Sequence, residues 1–425
     1  MREHCHARRC EGYRACDNDV TAQRWPSSSW CDRSSEIEKL PTSVGAFCVT
    51  WQKIEWDRAH SHGGLLSSAE IWYNPINREG RGKGEGMKKQ NDKLDLFKGI
   101  AIYGVILLHI LLPGRVGVAA NCLARFGVPL FFLSAGYYSW HLDRRTLARR
   151  TARTARLLLW ACLAPLCLGC VLAARSGQPV VQYLAGRVTS DTLRDLLLYQ
   201  LFPLPYSWPM WFLAALLMIY LLWWALTAVV GPELNYDALS VLAAALLAGH
   251  LGLGEVRFLL GGQVDSLVIR NVWLDGIPFF LLGGWMSEHR DWWERIPGRV
   301  LWGGVAAGAA LSLLERSLTT FLDLHAGTIL MALSLMAVAV NTPEVRHKWL
   351  RNTLGLCGRK LTFHIFALHI PIYGILQEWR SDVAAFGWIV ERPWLLPFAV
   401  ALLTTLFALI LQGLFASHTL KKEAC

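Results

Sequence analysis

Long apolar runs recur along the chain after residue 90, and two ionisable residues interrupt the first of them. From Leu96 to Pro113 the sequence is apolar except for Lys98 and His109. A run of this length just reaches the roughly 17–25 residues that a helix needs to cross a bilayer. At about 100° and 1.5 Å per residue, Lys98 and His109 lie on one stripe of the helix, about 16 Å apart along its axis. Lys98 is then near one membrane face, and His109 lies past the middle of the bilayer.

Further runs of this kind predict an all-α polytopic membrane protein of about ten transmembrane helices. The composition agrees, since 53% of the residues are hydrophobic and 17% are charged, whereas soluble domains carry about 25% charged residues. Glu315, Arg316, Asp323 and His325 interrupt the seventh and eighth runs. The predicted spans are 96–113, 118–140, 157–174, 208–230, 237–254, 272–288, 299–315, 321–341, 361–378 and 394–416.

Basic residues are concentrated in alternate connections, between spans two and three, six and seven, and eight and nine, and after span ten. Because positive charge marks the cytoplasmic side of a membrane protein, both termini are predicted to be cytoplasmic. The net charge of +10 therefore reflects topology, and no nucleic-acid partner is expected. The densest group has two interpretations, as topology-setting charge attracted to anionic lipid or as a phosphate-binding cluster, and composition favours the first. This group is Arg144, Arg145, Arg149, Arg150, Arg153 and Arg156.

Histidines inside the membrane are the candidate catalytic residues. An ionisable residue at the depth of His109 is costly and suggests a function, although a buried histidine that is hydrogen-bonded to a neighbouring helix is the structural alternative. Span nine contains His364 and His369, which point about 140° apart around the helix. Since this span runs from inside to outside, His369 reaches a depth similar to that of His109. The two residues therefore predict a site between helices.

The cysteines and the other histidines do not predict a metal site. Cys167 and Cys170 form the one C-x2-C pair, which lies inside an apolar span without a second pair, so small thiols packing between helices are expected there. The histidines and cysteines at positions 4–10 fit no common zinc spacing.

The N-terminal residues 1–86 form a polar extension with no apolar span and no sustained period. Residues 77–86 are rich in Arg, Glu, Gly and Lys, which purine-rich codons encode, and Met87 follows them. This pattern is what a translated ribosome-binding site looks like. We therefore expect translation to start at Met87, with a disordered cytoplasmic tail as the alternative, and a membrane domain over residues 87–425.

Several phrases, in order and at suitable spacing, resemble the acyltransferase-3 family of ten-span membrane enzymes, over about residues 92–416. The family's first helix carries Arg, ten residues and then His. Here Lys98 takes the place of that Arg, which keeps the charge but not the bidentate fork. Arg-x-x-Arg at the start of helix three is matched by Arg153 and Arg156, or in a second register by Arg150 and Arg153. The remaining phrases are Phe126–Gly136 (where Ser134-Ala-Gly136 replaces the usual Ser-Gly), Trp211–Ala215, Ile277–Gly283, and Phe363, Phe366, His369 and Pro371.

The resemblance implies an O-acyltransferase of the bacterial inner membrane that uses acyl-CoA, most often acetyl-CoA, from the cytoplasm. Lys98, Arg153, Arg156 and Arg150 are then the acyl-CoA-binding residues, because cations suit the CoA phosphates. His109 is expected to act as a general base or a transient acyl carrier, and His369 to orient His109 or to stabilise the oxyanion. The acceptor is expected to be a surface or lipid-linked saccharide. The alternatives are a polysaccharide exporter or flippase, and a membrane sensor module.

Overall fold

The computed structural model describes residues 91–230, 234–263, 265–319 and 323–423. Throughout these ranges the backbone forms helices and their connections, without a β-strand. The polar extension predicted for residues 1–86 lies outside the described residues.

The longer helices follow one another along the chain, with shorter helical turns between them. The longer helices are α1 (Asp92–His109), α2 (Gly114–Ala124), α3 (Gly127–Ser139), α4 (Arg144–Arg175), α5 (Ser190–Tyr199), α6 (Trp211–Val229), α7 (Tyr236–Leu251), α8 (Ile277–Glu288), α9 (Gly298–Leu318), α10 (Ala326–Asn341), α11 (Thr362–Glu378) and α12 (Leu396–Glu423). The short α-helices are Val180–Ala185, Arg257–Leu259, Ser266–Ile269, Arg290–Arg295, Lys348–Asn352, Leu354–Leu356 and Ala384–Val390. A 3₁₀ turn spans Trp208–Met210, and π-helical turns span Gly252–Val256, Val272–Gly276 and Cys357–Leu361.

Among the described residues, five helical stretches are long and apolar enough to cross a membrane, so the protein is an all-α membrane protein. They are Gly114–Ser139, Arg144–Arg175, Trp208–Val229, Tyr236–Leu259 and Leu396–Leu414. Helix α10 is apolar but shorter. Helix α1 carries four charged residues in its first two turns, Asp92, Lys93, Asp95 and Lys98. The ten spans and the cytoplasmic termini stay predictions.

Helix α4 is longer than the third span predicted from the sequence. The arginine-rich segment before residue 157 forms the first half of this 32-residue helix. Asp143 starts the helix, because its carboxylate accepts hydrogen bonds from the backbone N–H groups of Arg145 and Thr146, both at 3.1 Å. An N-cap of this kind favours a helix that begins directly after it. The arginine-rich segment therefore continues directly into the apolar part of α4.

Helix α1 is fixed by a close crossing with the segment that precedes α11. A Cβ atom added to Gly99 would lie 2.0 Å from the carbonyl oxygen of Leu354, and one added to Gly358 would lie 1.8 Å from that of Asp95. Both positions therefore require glycine, because any side chain would force the two backbones apart. This contact sets the rotation of α1 and with it the direction of the stripe that carries Lys98 and His109.

Aromatic side chains fill the core between α3, α6 and α11. The ring centroids of Phe132 and Phe212 are 4.7 Å apart, and those of Phe212 and Phe366 are 5.7 Å apart. The ring of Phe366 in turn lies 6.2 Å from that of His369. Since such cores are packed as densely as crystals, this aromatic contact chain holds α11, and hence His369, in a defined position.

Candidate functional site

The imidazole rings of His109 and His369 lie side by side. Their centroids are 5.6 Å apart and their planes are inclined by 32°. His109 is the last residue of α1 and is half-buried, whereas His369, in the middle of α11, is fully buried. The structure therefore brings together the two histidines that the sequence placed at one depth.

The hydrogen bonds of His369 define which of its ring nitrogens carries the proton. Nδ1 lies 2.8 Å from the carbonyl oxygen of Phe366 and 3.1 Å from that of Ile365. Because carbonyl oxygens only accept hydrogen bonds, Nδ1 carries the hydrogen and donates it. In a neutral ring Nε2 is then an acceptor, and it has no hydrogen-bond partner in the described structure. His369 thus presents a buried, unoccupied acceptor nitrogen next to His109.

Two arginines and one aspartate form a charged group near His109, and the sequence analysis did not assign it. Arg125 and Arg270 are the cations that act on the His109 imidazole, and both contact Oδ1 of Asp323, at 3.2 Å and 3.8 Å. Arg125 also donates to Oδ1 of Asn121 at 3.2 Å. The available signal was the presence of Arg125 and Asp323 within apolar runs, since charged residues at membrane depth are functional candidates by default.

Asn121 connects this charged group to the end of α1. Its Nδ2 lies 3.4 Å and 3.3 Å from the carbonyl oxygens of Leu107 and Leu108, which belong to the last turn of α1. These carbonyls have no partner within the helix. Asn121 therefore joins Arg125 to the helix terminus that carries His109.

A second polar group lies where α10 begins. Glu255, Glu315 and His325 place one ligand atom each within 4.8 Å of one another, which is the geometry of a metal-binding group. However, Glu315 accepts a hydrogen bond from the backbone N–H of Gly327 at 2.9 Å, and Glu255 accepts one from that of Ala326. Carboxylates at a helix N-terminus satisfy its free N–H groups, so helix capping accounts for both. The sequence-based expectation of no metal site stays a prediction.

At the other end of α1, Lys98 lies against an aromatic ring. Its ammonium nitrogen is 5.4 Å from the centroid of Tyr138, within the range of a cation–π contact. Arg150 and Asp95 are the charged groups that act on Lys98. The guanidinium of Arg150 is held by a 3.0 Å hydrogen bond to Oγ of Ser139. The structure thus brings Lys98 and Arg150 to one place, which we call the Lys98 end of the molecule.

The other two candidate arginines lie further around α4. Arg153 is half-buried and interacts with another group of the protein, whereas Arg156 is exposed. Arg156 follows Arg150 by six residues. At about 100° per residue, the two side chains therefore point about 120° apart around the helix. Arg150 thus lies near Lys98 while Arg156 is exposed, and the choice between the two registers stays a prediction.

Trp208 contacts the histidine pair from the side of the 3₁₀ turn. Its ring centroid lies 6.4 Å from that of His109, and 37% of its side chain surface stays exposed. A tryptophan at the end of a span is typical of an interfacial anchor, and this sequence pattern does not reveal the contact of Trp208 with His109. The region that contains the two histidines and Trp208 is called the His109 end below.

Comparison with known families gave one match. The family described as "Acyltransferase domain" matches residues 91–413 of the chain, a range that includes both ends of α1, the arginines of α4 and the histidine of α11. The search of curated proteins and the search of solved structures found no match.

Proposed function

Because the chain belongs to this acyltransferase family, we propose that it transfers an acetyl group from acetyl-CoA to a hydroxyl group of a surface or lipid-linked saccharide. The observation that carries the proposal is the histidine pair. The half-buried His109 lies beside the acceptor nitrogen of His369, at the opposite end of α1 from a cationic group. A base and a site for an anionic carrier are what acyl transfer from CoA requires.

The Lys98 end is the proposed donor-binding region. Lys98 and Arg150, with Arg153 one turn further along α4, carry positive charge suited to the phosphates of CoA. The basic connections predict that this end faces the cytoplasm, where acyl-CoA is present, and that both termini lie there. We also propose that the chain crosses the bacterial inner membrane ten times. The extended pantetheine arm then reaches along α1 towards His109, over the roughly 16 Å that eleven residues of helix span.

At the His109 end, the imidazole of His109 acts as the general base. It removes the proton from the acceptor hydroxyl while the hydroxyl oxygen attacks the thioester carbonyl. The carbon–sulfur bond breaks, CoA leaves as the thiolate, and the proton held by His109 passes to the sulfur. The products are the acetyl ester and free CoA.

His369 acts as a positioning residue for His109 in this proposal. The ring centroids are 5.6 Å apart and Nε2 of His369 has no hydrogen-bond partner in the described structure, so this acceptor is free for the His109 ring to approach during the reaction. An N–H group of His109 that donates to Nε2 of His369 leaves the other nitrogen of His109 unprotonated, as a base must be. The exposed part of His109 then faces the acceptor.

Purified protein in lipid nanodiscs, supplied with radiolabelled acetyl-CoA and membranes of the source cells, tests the proposal. His109→Ala is expected to lower acetyl transfer by at least about a hundredfold, the usual contribution of a general base. His347→Ala is the matched control, because His347 is exposed and precedes the short helix Lys348–Asn352. Unchanged transfer by His109→Ala would contradict the proposal.

The exporter alternative requires a polar path between the two ends. Between Lys98 and His109, helix α1 contributes Tyr103 as its one polar side chain, and the Tyr103 hydroxyl is engaged by Thr405 at 2.9 Å and by Cys357 at 3.5 Å. Near His109, Arg125 and Arg270 are likewise engaged by Asp323. This distribution supports a reaction site rather than a continuous channel.

A further inference from the structure

Tyr206 has a backbone conformation that is unusual for its residue type. Its φ angle is 56°, in the left-handed region, which is costly for a bulky aromatic residue. Such strained positions persist only where the surrounding structure holds them, and they are concentrated at functional sites. Tyr206 lies two residues before Trp208, which contacts His109.

Three contacts hold the Tyr206 side chain against the end of α11. Its hydroxyl donates to Oε1 of Glu378 at 2.6 Å. Its ring lies on Gly374, where an added Cβ atom would come within 2.7 Å of the Tyr206 ring, and it is 6.4 Å from the ring of Tyr373. Tyr206 is therefore fitted closely to the last two turns of α11, the helix that also carries His369.

The position of Tyr206 determines the position of Trp208. The two ring centroids are 5.6 Å apart, and the ring of Trp208 lies between Tyr206 and His109. A tryptophan that only anchors the protein in the membrane interface needs no contact with an intramembrane histidine. Here a strained backbone places a partly exposed indole ring directly beside the proposed catalytic base.

We propose that Trp208, Tyr206 and Glu378, which we call the aromatic platform, bind one pyranose ring of the acceptor, an inference that rests on the proposed function. The C–H groups on one face of a pyranose are apolar and slightly positive, and they suit the negative face of an indole ring. The hydroxyl groups at the rim of the sugar donate to the exposed Glu378 carboxylate, whose two oxygens accept more bonds than Tyr206 supplies. Stacking on Trp208 holds a sugar hydroxyl near His109.

The test uses purified protein in nanodiscs, saturating radiolabelled acetyl-CoA, and the glycan fraction extracted from source cells that lack the gene. Trp208→Ala is expected to raise the half-saturating glycan concentration about tenfold or more, as the loss of a stacking ring does elsewhere. Trp208→Phe, which keeps an aromatic face, is expected to raise it less. Glu378→Gln is expected to raise it by a smaller factor, because one neutral amide oxygen replaces two charged carboxylate oxygens as the acceptor.

Trp388→Ala is the matched control, since Trp388 is also exposed but packs under the guanidinium of Arg392 at 4.1 Å. Its half-saturating glycan concentration should equal that of the wild type. In all active variants the label should be recovered on saccharide as a base-labile ester. The aromatic platform is contradicted if Trp208→Ala keeps the wild-type value, if it raises the Michaelis constant of acetyl-CoA equally, or if the label is found on non-carbohydrate material.

His109→Ala separates the failure of this inference from the failure of the proposed function. If His109→Ala still transfers the label, or if the wild type transfers none, the proposed function and the platform both fail. If His109→Ala is inactive while Trp208→Ala has wild-type acceptor kinetics, only the platform is wrong.

Discussion

The two ends of α1 handle charge in opposite ways. At the Lys98 end, Lys98 lies over Tyr138 with Asp95 and Arg150 as its charged neighbours, and the guanidinium of Arg150 is bound to the Ser139 hydroxyl rather than to a carboxylate. At the His109 end, the nearby guanidinium groups of Arg125 and Arg270 share Asp323, and the central groups are two imidazoles. A guanidinium that is not held by a carboxylate can attract an anionic carrier, whereas the arginines near His109 are held in ion pairs. In the proposed function, one helix thus separates carrier binding from chemistry.

Among the variants that test this difference between the two ends, we expect the largest loss of activity from changes to His369. Replacing it with alanine removes the nitrogen that positions His109, so we expect kcat to fall about a hundredfold with a small change in the Michaelis constant of acetyl-CoA. His369→Gln keeps a hydrogen-bond acceptor and should recover part of the rate. Steady-state kinetics of both variants measure the difference. Equal losses in the two would mean that His369 acts only through packing.

At the Lys98 end, the expected effect is on donor binding. Lys98→Ala should raise the Michaelis constant of acetyl-CoA about tenfold, since one charge-assisted contact to phosphate is lost. Lys98→Arg should keep or raise activity because guanidinium pairs bidentately with phosphate. The same donor titration gives both results. If Lys98→Ala lowered kcat and left the Michaelis constant of acetyl-CoA unchanged, the proposal that the Lys98 end binds the donor would be contradicted.

A smaller effect distinguishes the two arginine registers. Arg150→Ala should raise the Michaelis constant of acetyl-CoA about fivefold, because Arg150 lies beside Lys98. Arg156→Ala should change it by less than about twofold, since this side chain is exposed on another face of α4. If the order were reversed, the family register Arg153 and Arg156 would hold. Combining Arg150→Ala with Arg153→Ala measures the contribution of the register Arg150 and Arg153.

The smallest effect separates folding from binding at the same end. Hydrogen bonding by the Thr146 side chain and by backbone N–H groups holds the pKa of Asp143 below its ordinary value of 3.8. The N-cap therefore contributes stability above about pH 4, and this contribution is lost as the pH falls through the lowered pKa. Asp143→Ala should lower the free energy of unfolding by about 1 kcal/mol at neutral pH. Thermal unfolding in detergent measures this, and the difference from wild type should vanish in acid.

The sequence was most informative where a feature depends on neighbouring residues alone. Lys98 and His109 share one helix, so helical geometry alone predicted their common stripe and their separation. The start of α4 was also detectable, because Asp143 precedes an uninterrupted run of helix-favouring residues. The prediction from sequence considered only the charge of that run and did not identify Asp143 as its N-cap.

Long-range contacts explain what the sequence did not predict. Arg125 and Asp323 are 198 residues apart, and no local pattern indicates that they meet. In α4, Arg150, Arg153 and Arg156 are spaced by three residues, so each register fits a helical pattern equally well, and only the structure shows that Arg150 packs against Ser139. The placement of Tyr206 and Trp208 was not predictable for the same reason. Only the position of α11 shows that their rings point to the histidine pair.

The direction of α1 has a consequence for the reaction itself. Its peptide dipoles all point the same way, and His109 is the final residue of the helix, where the aligned carbonyl groups create a negative pole. A positive charge that appears on the imidazole during turnover is stabilised there by about 0.3–1 kcal/mol. The backbone therefore lowers the energy of the intermediate protonated state without any added acidic side chain.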